Sequence, residues 1–437
     1  MKHSRTVAFY TLGCKLNFAE TSTIERLFAG QGFCKVDFNS PADVVVINTC
    51  TVTSGAEKKC RNIINRAVKQ SPGSYVAVVG CYSQLKSDKI AQIPGVDLVL
   101  GSGEKFQIFD LARDFRKKGE AAVFSRDIST EKTFSSSYSI SGRTRSFLKI
   151  QDGCDYFCSY CTIPHARGPS RSAVIDDILF QADEIARSGT KEVVLTGVNI
   201  GDFGRRGSGS LLELLEKLQE VKSLERIRLS SIEPDLLSDE IIDLVAAGSR
   251  FAHHFHLPLQ SGCDTILKKM NRKYSTAHFA DRVSRIRERI PEAGIGADVI
   301  TGFPGETEAD FQETVEFIKS CDISYMHVFS YSDRSNTRAS KLPEKIVPGE
   351  MERRSRILHD IAGEKHREFL KLCSGQVHKV LFEAVNKKGR MYGFTGNYVR
   401  VEAPAQQNAV NRIVDVKLLA PGEDGIMKGI IINRFNK

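Results

Sequence analysis

The sequence predicts an α/β protein built from three successive units. A doubly wound parallel sheet comes first, a partial (β/α)6 barrel follows, and a small antiparallel β-barrel ends the chain. Three observations support this class. Strand-like apolar runs alternate with helical patterns over most of the chain, a polar Ser/Thr-rich stretch interrupts that alternation, and the last part is β-rich with glycine turns. With 437 residues and 41% hydrophobic content, the chain has enough apolar material for separate cores.

The first unit alternates short apolar strands with helices, which is typical of a parallel sheet covered on both faces. Two helices are predicted, at 17–30 and 54–70. The predicted strands are Val7 to Thr11, Asp43 to Asn48, Tyr75 to Val79 and Val96 to Leu100. We assign residues 1–125 to this domain, and we interpret the polar stretch at 126–146 as a linker.

The second unit, residues 147–372, repeats the strand–helix alternation six times. Six such repeats make an incomplete barrel that is open on one side and can admit a large substrate. A long amphipathic helix from Pro348 to Leu372 closes the unit. The predicted strands are 147–151, 193–196, 227–231, 254–259, 297–301 and 326–330.

The third unit, residues 373–437, is predicted to be a small barrel of the OB-like kind that often binds RNA. Its predicted strands are 377–384, 390–403, 412–419 and 429–433. Charge is distributed unevenly along the chain. Basic residues outnumber acidic ones by 21 to 13 over 1–146 and by 10 to 5 over 373–437, whereas the middle has 31 against 35. Two basic ends suit a bound polyanion, although ordinary solvated basic faces give the same pattern.

The sequence also indicates where the chain works. It has no apolar run of about 18 residues and no signal-peptide core, so we expect no membrane association and a cytoplasmic location. Eleven cysteines in such a chain favour metal chemistry in a reducing compartment over a disulfide framework.

The most informative motif is the run C-x3-C-x2-C formed by Cys154, Cys158 and Cys161. Three thiols at this spacing can hold three irons of a cubane [4Fe–4S] cluster and leave the fourth iron open, since no fourth cysteine follows. The spacing does not fit the paired cysteines of a zinc site, which is the main alternative together with a purely structural role.

A second set of thiols follows the ends of three predicted parallel strands. Cys14, Cys50 and Cys81 each lie one or two residues past an apolar strand, and such ends meet at one edge of a parallel sheet. Gly13 and Gly80 directly precede two of them and allow close backbone approach. Convergent thiols again indicate a cluster with an open iron, although free cysteines are often simply buried. We interpret the others as structural or incidental: Cys34, Cys60, Cys263, Cys321 and Cys373.

Together these motifs resemble the radical S-adenosylmethionine (SAM) methylthiotransferase family. The resemblance rests on Thr-Leu-Gly-Cys-Lys-Leu-Asn at 11–17, Asn-Thr-Cys-Thr-Val at 48–52, Val-Gly-Cys at 79–81, the three-cysteine loop and the basic tail. It covers essentially the whole chain. It implies an N-terminal methylthiotransferase domain, a radical SAM partial barrel and a C-terminal TRAM domain. The Gly-Cys-Lys-Leu-Asn form is similar to the branch that acts on N6-threonylcarbamoyladenosine in tRNA.

The resemblance also implies roles for particular residues. Cys154, Cys158 and Cys161 would hold the cluster that binds SAM, and Cys14, Cys50 and Cys81 an auxiliary [4Fe–4S] cluster. Arg171 is a candidate partner for the SAM carboxylate, because an arginine fork fits a carboxylate. Other expected cofactor contacts are Tyr160, Thr196, Gly197, Asn199, Ser230, Ser231, Glu233, His256 and Gln260. Asp298, Lys15 and Asn17 are expected to meet the substrate.

The implied reaction replaces the C2 hydrogen of the adenine by a methylthio group, with SAM as both radical source and methyl donor. The expected partners are the anticodon stem-loop of tRNA, an electron donor such as flavodoxin or ferredoxin, and a sulfur donor. Three alternatives stay open at this point. The substrate is isopentenyladenosine in tRNA, or a ribosomal-protein side chain, or the chain is an RNA-binding iron–sulfur sensor without SAM chemistry.

Overall fold

The computed structural model describes residues 5–140, 144–207 and 209–432. Its N-terminal unit is a six-stranded sheet in which every neighbouring pair is parallel, in the order β2-β1-β3-β4-β5-β6. The strands are β1 (Thr6–Thr11), β2 (Cys34–Val36), β3 (Val44–Thr49), β4 (Tyr75–Gly80), β5 (Leu98–Leu100) and β6 (Ala122–Phe124). The helices are α1 (Lys15–Gly30), α2 (Ser54–Gln70), α3 (Cys81–Leu85), α4 (Ser87–Ala91) and α5 (Ile108–Ala112).

This sheet is doubly wound, as the sequence predicts. One face packs on Ile24 and Phe28 of α1, and the other packs on Ile64 and Ala67 of α2. Strands covered on both faces read as continuous apolar runs, which is why β3 and β4 are buried throughout. β2 and β6 were not predicted, since three-residue edge strands carry little pattern.

The polar stretch interpreted as a linker contains regular structure. β7 (Ser137–Tyr138) pairs antiparallel with the first barrel strand, and Ile128 and Ser137 are buried. Tyr138 also contacts the N-terminal unit: its ring centroid lies 4.1 Å from the Arg26 guanidinium. Residues 141–143 of this stretch lie outside the described residues.

The central unit has six parallel strands, each followed by helix, and confirms the partial (β/α)6 barrel. Two sheets, β7-β8-β11-β12 and β13-β14-β15, are joined by the bridges Ile227–Phe251 and Ser231–His256. The strands are β8 (Arg145–Lys149), β9 (Gln151–Asp152), β10 (Arg171–Ser172), β11 (Glu192–Thr196), β12 (Arg226–Leu229), β13 (His254–Gln260), β14 (Gly294–Thr301) and β15 (Tyr325–Ser330). The helices are α6 (Ile163–Arg167), α7 (Ile175–Arg187), α8 (Leu211–Glu220), α9 (Asp239–Ala247), α10 (Asp264–Lys269), α11 (Thr276–Arg289), α12 (Glu308–Ser320) and α13 (Pro348–Cys373).

The C-terminal unit is a closed five-stranded barrel in the order β16-β17-β18-β20-β19. Its strands are β16 (Val377–Val385), β17 (Arg390–Thr395), β18 (Arg400–Pro404), β19 (Ile413–Pro421) and β20 (Met427–Ile431). The run predicted as one strand at 390–403 divides into β17 and β18 around a turn. One of the five pairings, β18 with β20, is parallel rather than antiparallel. Position 433 of the last predicted strand lies outside the described residues.

The C-terminal barrel covers the end of the partial barrel at which the parallel strands begin. Arg226 donates to the carbonyl of Phe394 at 3.2 Å, and Arg228 donates to the carbonyl of Thr395 at 3.0 Å. Glu192 is buried between the two arginines, 3.3 Å and 2.7 Å from them. The opposite end, where the strands finish, faces the N-terminal unit, since Lys149 at the end of β8 is 3.1 Å from Glu20 of α1. Among the described residues, no helix combines the length and the apolar run that crossing a bilayer requires.

Candidate functional site

The three thiols of the N-terminal unit meet at the carboxyl edge of its sheet. Gly13 has φ +106°, and a Cβ there would lie 2.8 Å from the Cβ of Cys50, so the Cys14 loop abuts Cys50 directly. Gly80 has φ +101°, and a Cβ there would collide with the side-chain oxygen of Asn48 at 2.4 Å. Both glycines are therefore required by close approach, as the sequence indicates.

Asn17 holds these loops in place. Its Nδ2 donates to the carbonyls of Leu12 at 2.7 Å and Thr49 at 3.0 Å, which precede Cys14 and Cys50. Its Oδ1 accepts from Arg167 at 2.7 Å, and the residue is fully buried. The side-chain amide of Asn17 already uses its hydrogen-bond donors and acceptor within the protein. The expectation that Asn17 contacts the substrate therefore does not fit its geometry.

The thiols of this group differ in exposure. Cys14 is exposed, whereas Cys50 and Cys81 are buried. Burial, together with the nearby Cys81 and Cys14 thiols, raises the pKa of Cys50 to about 12. A thiol must lose its proton to bind a metal, so metal binding here would release that proton. Cys60 lies directly beneath, since its Sγ accepts from the Cys50 amide at 3.4 Å, which is consistent with a structural role.

The second group of thiols lies on the loop that leaves β9. The amides of Tyr156 and Ile163 donate to the Sγ atoms of Cys154 and Cys161, at 3.5 Å and 3.4 Å. Burial raises the pKa of Cys161 to about 12, and the neighbouring Cys158 thiol adds to the shift. The three side chains thus share one low-dielectric spot, with backbone donors directed at two of the sulfurs.

Arg272 is a neighbour of this loop that sequence reasoning missed. Its Nη1 donates to the Cys158 Sγ at 3.0 Å, and its Nη2 forms a buried ion pair with Glu233. Burial raises the pKa of Glu233 to about 7, although Arg272 opposes that shift. The arginine is far from the cysteines in sequence, and no motif marks it.

Several expected cofactor contacts line the ends of the adjacent strands. The Gln151 amide oxygen accepts from the backbone of Val198 at 2.9 Å and of Asn199 at 3.0 Å, which fixes the segment containing Thr196 and Gly197. Both polar atoms of the Asn199 side chain, and the Ser230 hydroxyl, are buried without a hydrogen-bond partner among the described residues. Buried polar atoms are normally paired, so these groups indicate a missing polar ligand.

Arg171 departs from its expected role. Its Nε donates to the carbonyl of Thr133 at 3.0 Å, its Nη1 to Arg167 and Pro169 carbonyls at 2.7 Å and 3.0 Å, and its Nη2 to Asp152 at 3.1 Å. These bonds occupy four of the five N–H groups of a guanidinium. Arg171 therefore does not fit as the partner of a cofactor carboxylate, because the protein itself already uses its fork.

His256 and Asp298 face the interior of the barrel. The His256 Nε2 is 3.3 Å from Asp298, and its Nδ1 is 2.8 Å from the Ser231 hydroxyl. The ring and the carboxylate also lie close to His327, within ligand distance of a common point. His254, its neighbour on β13, instead bonds the Tyr325 hydroxyl at 2.7 Å.

A cavity of about 260 Å³ lies between the three-cysteine loop and the segment that follows Cys50, and Cys161 is the one cysteine among its lining residues. Its walls come from the three-cysteine loop (Tyr160 to Ile163), from Val52 and Thr53 just after Cys50, and from barrel strand ends that include Gln260 and Asp298. Arg334 donates to the Thr51 hydroxyl at 2.7 Å, which ties the Cys50 loop to the loop after β15. The two cysteine-bearing loops therefore border one shared space.

Lys15 is partly buried, and burial lowers the pKa of its ammonium group; Tyr398, Arg228, Arg145 and Glu192 also act on it electrostatically. Glu192 already pairs with Arg228, and no carboxylate of the described chain lies within ion-pair distance of the Lys15 ammonium. The described residues therefore supply no counter-charge that would favour the protonated form of Lys15.

Comparisons with known proteins identify the class of enzyme to which this chain belongs. Residues 148–318 match the radical SAM superfamily, and residues 6–101 match the uncharacterized protein family UPF0004. A radical SAM methyltransferase from Kitasatospora setae, solved with cobalamin and a [4Fe–4S] cluster, has the same fold. Its TM-score is 0.56 at 14% identity, over 89% of this chain and 80% of that one. Fold and thiol loop together define a radical SAM enzyme, a class that uses a [4Fe–4S] cluster and SAM.

Proteins with similar sequences identify the family within the radical SAM class. The threonylcarbamoyladenosine tRNA methylthiotransferase of Bacillus subtilis is 36% identical, over 95% of this chain and 94% of that protein. Its namesake in Aquifex aeolicus is 39% identical, over 91% and 96%. A tRNA-2-methylthio-N(6)-dimethylallyladenosine synthase of Syntrophomonas wolfei is 34% identical, over 93% and 94%. The chain belongs to the tRNA methylthiotransferase family.

Proposed function

We propose that this enzyme methylthiolates C2 of the adenine of N6-threonylcarbamoyladenosine, next to the anticodon of tRNA. The observation that carries the proposal is a cavity bordered both by the three-cysteine loop and by Val52 and Thr53, which follow Cys50. In this proposal one group of thiols supports radical formation and the other supports sulfur delivery, and a base in the cavity would lie beside both loops. The relatives named for this reaction match nearly the whole chain.

We assign the SAM-binding cluster to Cys154, Cys158 and Cys161. When bound, cluster and SAM supply a carbon radical that abstracts hydrogen from an unactivated carbon. The chain's part is to exclude water and to orient the cofactor. The polar side-chain atoms of Asn199 and Ser230, which have no hydrogen-bond partner in the described part of the chain, would receive its polar groups. Tyr160 and Gln260 line the cavity beside it.

We assign an auxiliary cluster to Cys14, Cys50 and Cys81. These three thiolates would hold the cluster and leave one iron open to a sulfur atom, and SAM would also be the methyl donor. Cys14 is the exposed member, so an external sulfur donor has access from its side. An electron donor such as flavodoxin or ferredoxin completes the requirements, and the reaction would take place in the cytoplasm with the tRNA.

The tRNA would be held by the basic ends of the chain. Lys58, Lys59 and Arg61 are exposed on α2, which begins just past the Cys50 loop. The C-terminal barrel has twice as many basic as acidic residues. Enzymes that modify a base take it out of the stack, so the adenine would be extruded into the cavity while these surfaces grip phosphates.

Lys15 favours the threonylcarbamoyl substrate over a dimethylallyl one. The threonylcarbamoyl group ends in a carboxylate, whereas the dimethylallyl group is apolar. Burial lowers the pKa of Lys15, which has no carboxylate partner among the described residues, and a ligand carboxylate would favour its charged form. We therefore assign Lys15 to the substrate carboxylate, with Asp298 and His256 lining the path from the cavity.

The test is a reaction with anaerobically reconstituted enzyme, SAM, sulfide and dithionite, followed by mass spectrometry of tRNA nucleosides. Matched tRNAs would carry threonylcarbamoyladenosine, isopentenyladenosine or unmodified adenosine. We expect a methylthio product on the first alone. Product on the isopentenyl tRNA would reassign the branch. SAM cleavage without product on any tRNA would contradict a tRNA substrate.

A further inference from the structure

A buried network of ion pairs lies between the two groups of thiols. Glu20 is 2.7 Å from Lys105, 3.1 Å from Lys149 and 3.0 Å from Arg167. Asp152 is 2.8 Å from Lys149, 2.9 Å from Arg167 and 3.1 Å from Arg171. The side chains come from both units, because Glu20 and Lys105 precede the barrel and the rest belong to it.

The network is not neutral. Lys105, Lys149, Arg167 and Arg171 face only Glu20 and Asp152, and the described residues provide no further carboxylate as an ion-pair partner of these cations. Five of the six side chains are at most 3% exposed. The Phe106 and Phe134 rings lie within 6 Å of the lysine ammonium groups. Burial lowers the pKa of Lys105, Glu20 opposes that shift, and the neighbouring Arg167 and Lys149 cations add to it. An excess of positive charge in such a place is strongly destabilising unless an anion accompanies it.

The positive charges of this network lie close to the thiols of the N-terminal unit. Arg167 donates to the Asn17 Oδ1 at 2.7 Å, and that oxygen is 3.8 Å from the Cys14 Sγ. Arg167 ends α6, which packs against α3, the helix that begins at Cys81. Lys105 belongs to the same group of charges, because its ammonium shares the Glu20 carboxylate with Arg167.

We propose that this network is the counter-charge for anionic sulfur at the Cys14–Cys50–Cys81 site. Arg167 and Lys105 would stabilise a hydrosulfide or thiolate bound there beside the three cysteine thiolates, and would raise the reduction potential of the cluster. A cluster held by three thiolates is net anionic, and its potential depends on nearby charge. Arg167 is thus a positioning residue for sulfur delivery. The inference rests on the proposed function, since it assumes a cluster at these cysteines.

The experiment uses the full chain with Cys154→Ala, Cys158→Ala and Cys161→Ala, so that iron binds only at the N-terminal thiols. In this background Arg167→Gln removes one charge and Arg167→Lys retains it. Arg171→Gln is the matched control, because it removes a cation from the same network that bonds Asp152 and not Asn17. Iron content and circular dichroism establish that each variant is folded and loaded.

Two readouts are independent of turnover. The affinity for added sodium sulfide is followed by electron paramagnetic resonance of the reduced cluster, and the midpoint potential by redox titration. We expect Arg167→Gln to bind sulfide about tenfold more weakly and to show a midpoint potential lower by about 59 mV, the one-electron equivalent of tenfold. Arg167→Lys should stay near the parent protein, and Arg171→Gln should change sulfide affinity less than threefold.

Lys105→Gln serves as a second variant if Arg167→Gln does not fold, with the same expected direction. Iron-loaded Arg167→Gln or Lys105→Gln with unchanged potential and sulfide affinity would overturn the inference while leaving the cluster assignment intact. Failure of the parent background to hold any cluster would instead contradict the proposed function, and the inference would fall with it.

Discussion

Glu192 holds together the junction between the partial barrel and the C-terminal barrel. Its carboxylate is fully buried between Arg226 and Arg228, and both arginines donate to backbone carbonyls of the C-terminal unit. Burial alone would raise the pKa of Glu192, but Arg228 and then Arg226 outweigh it and hold the pKa at about 2, against an ordinary value of 4.5. We expect Glu192→Gln to leave two buried guanidiniums without a counter-charge.

The loss of stability expected for Glu192→Gln can be calculated in two ways. A depression of between two and three pKa units corresponds to about 3 kcal/mol of stability. Breaking one partner out of a buried ion pair typically costs about 3–5 kcal/mol. Because the folded pKa is depressed, this contribution is present above pH 4.5 and is lost as the pH falls toward 2. Wild type and Glu192→Gln should therefore differ by about 3 kcal/mol at pH 7 and converge as the pH falls below about 4.

The assay is urea unfolding followed by circular dichroism at several pH values, since the chain has no tryptophan to report by fluorescence. Glu225→Gln is the control. Glu225 pairs with Lys191 at 2.5 Å but is 44% exposed, and such surface pairs contribute at most about 1 kcal/mol. A Glu192→Gln effect no larger than that of Glu225→Gln, or one that does not change with pH, would refute the reasoning.

Three further predictions concern the site. Asn199→Ala should weaken SAM binding, measured by calorimetry, about tenfold. It should not lower the free energy of unfolding, since the side-chain amide has no partner among the described residues. A loss of stability without a loss of SAM affinity would contradict the assignment. Lys15→Gln should lower kcat/KM on threonylcarbamoyl tRNA at least about tenfold, the effect of a lost charged hydrogen bond, and an equal loss on isopentenyl tRNA would argue against carboxylate recognition. Cys81→Ala should lose about half of the bound iron if each of two clusters holds four irons, so full iron content would exclude Cys81 as a ligand.

The sequence predicts the site best where backbone rules govern position. Cys14, Cys50 and Cys81 are far apart in the chain, yet their convergence could be predicted because parallel strands end at one edge. The six barrel strands follow from the same regularity. Gly13 and Gly80 could be assigned a close-approach role, because a glycine directly before a strand-end cysteine lets one backbone segment lie against another.

Side-chain partners could not be predicted in the same way. Arg171 and Asn17 have the right chemistry for a ligand, but the structure uses their hydrogen bonds internally. Arg272 has no motif, since it reaches Cys158 only through the packing of a later loop. The charge excess around Arg167 is visible only when residues from two units are seen in one place.

The central claim is that this chain converts N6-threonylcarbamoyladenosine in tRNA to its 2-methylthio form. The most direct measurement is a mass-spectrometric nucleoside profile of tRNA from cells with and without the gene, with complementation by the intact gene and by a Cys154→Ala variant. We predict that deletion abolishes the methylthio nucleoside, that the parent nucleoside accumulates, and that only the intact gene restores the product. An unchanged profile, or restoration by Cys154→Ala, would contradict the account.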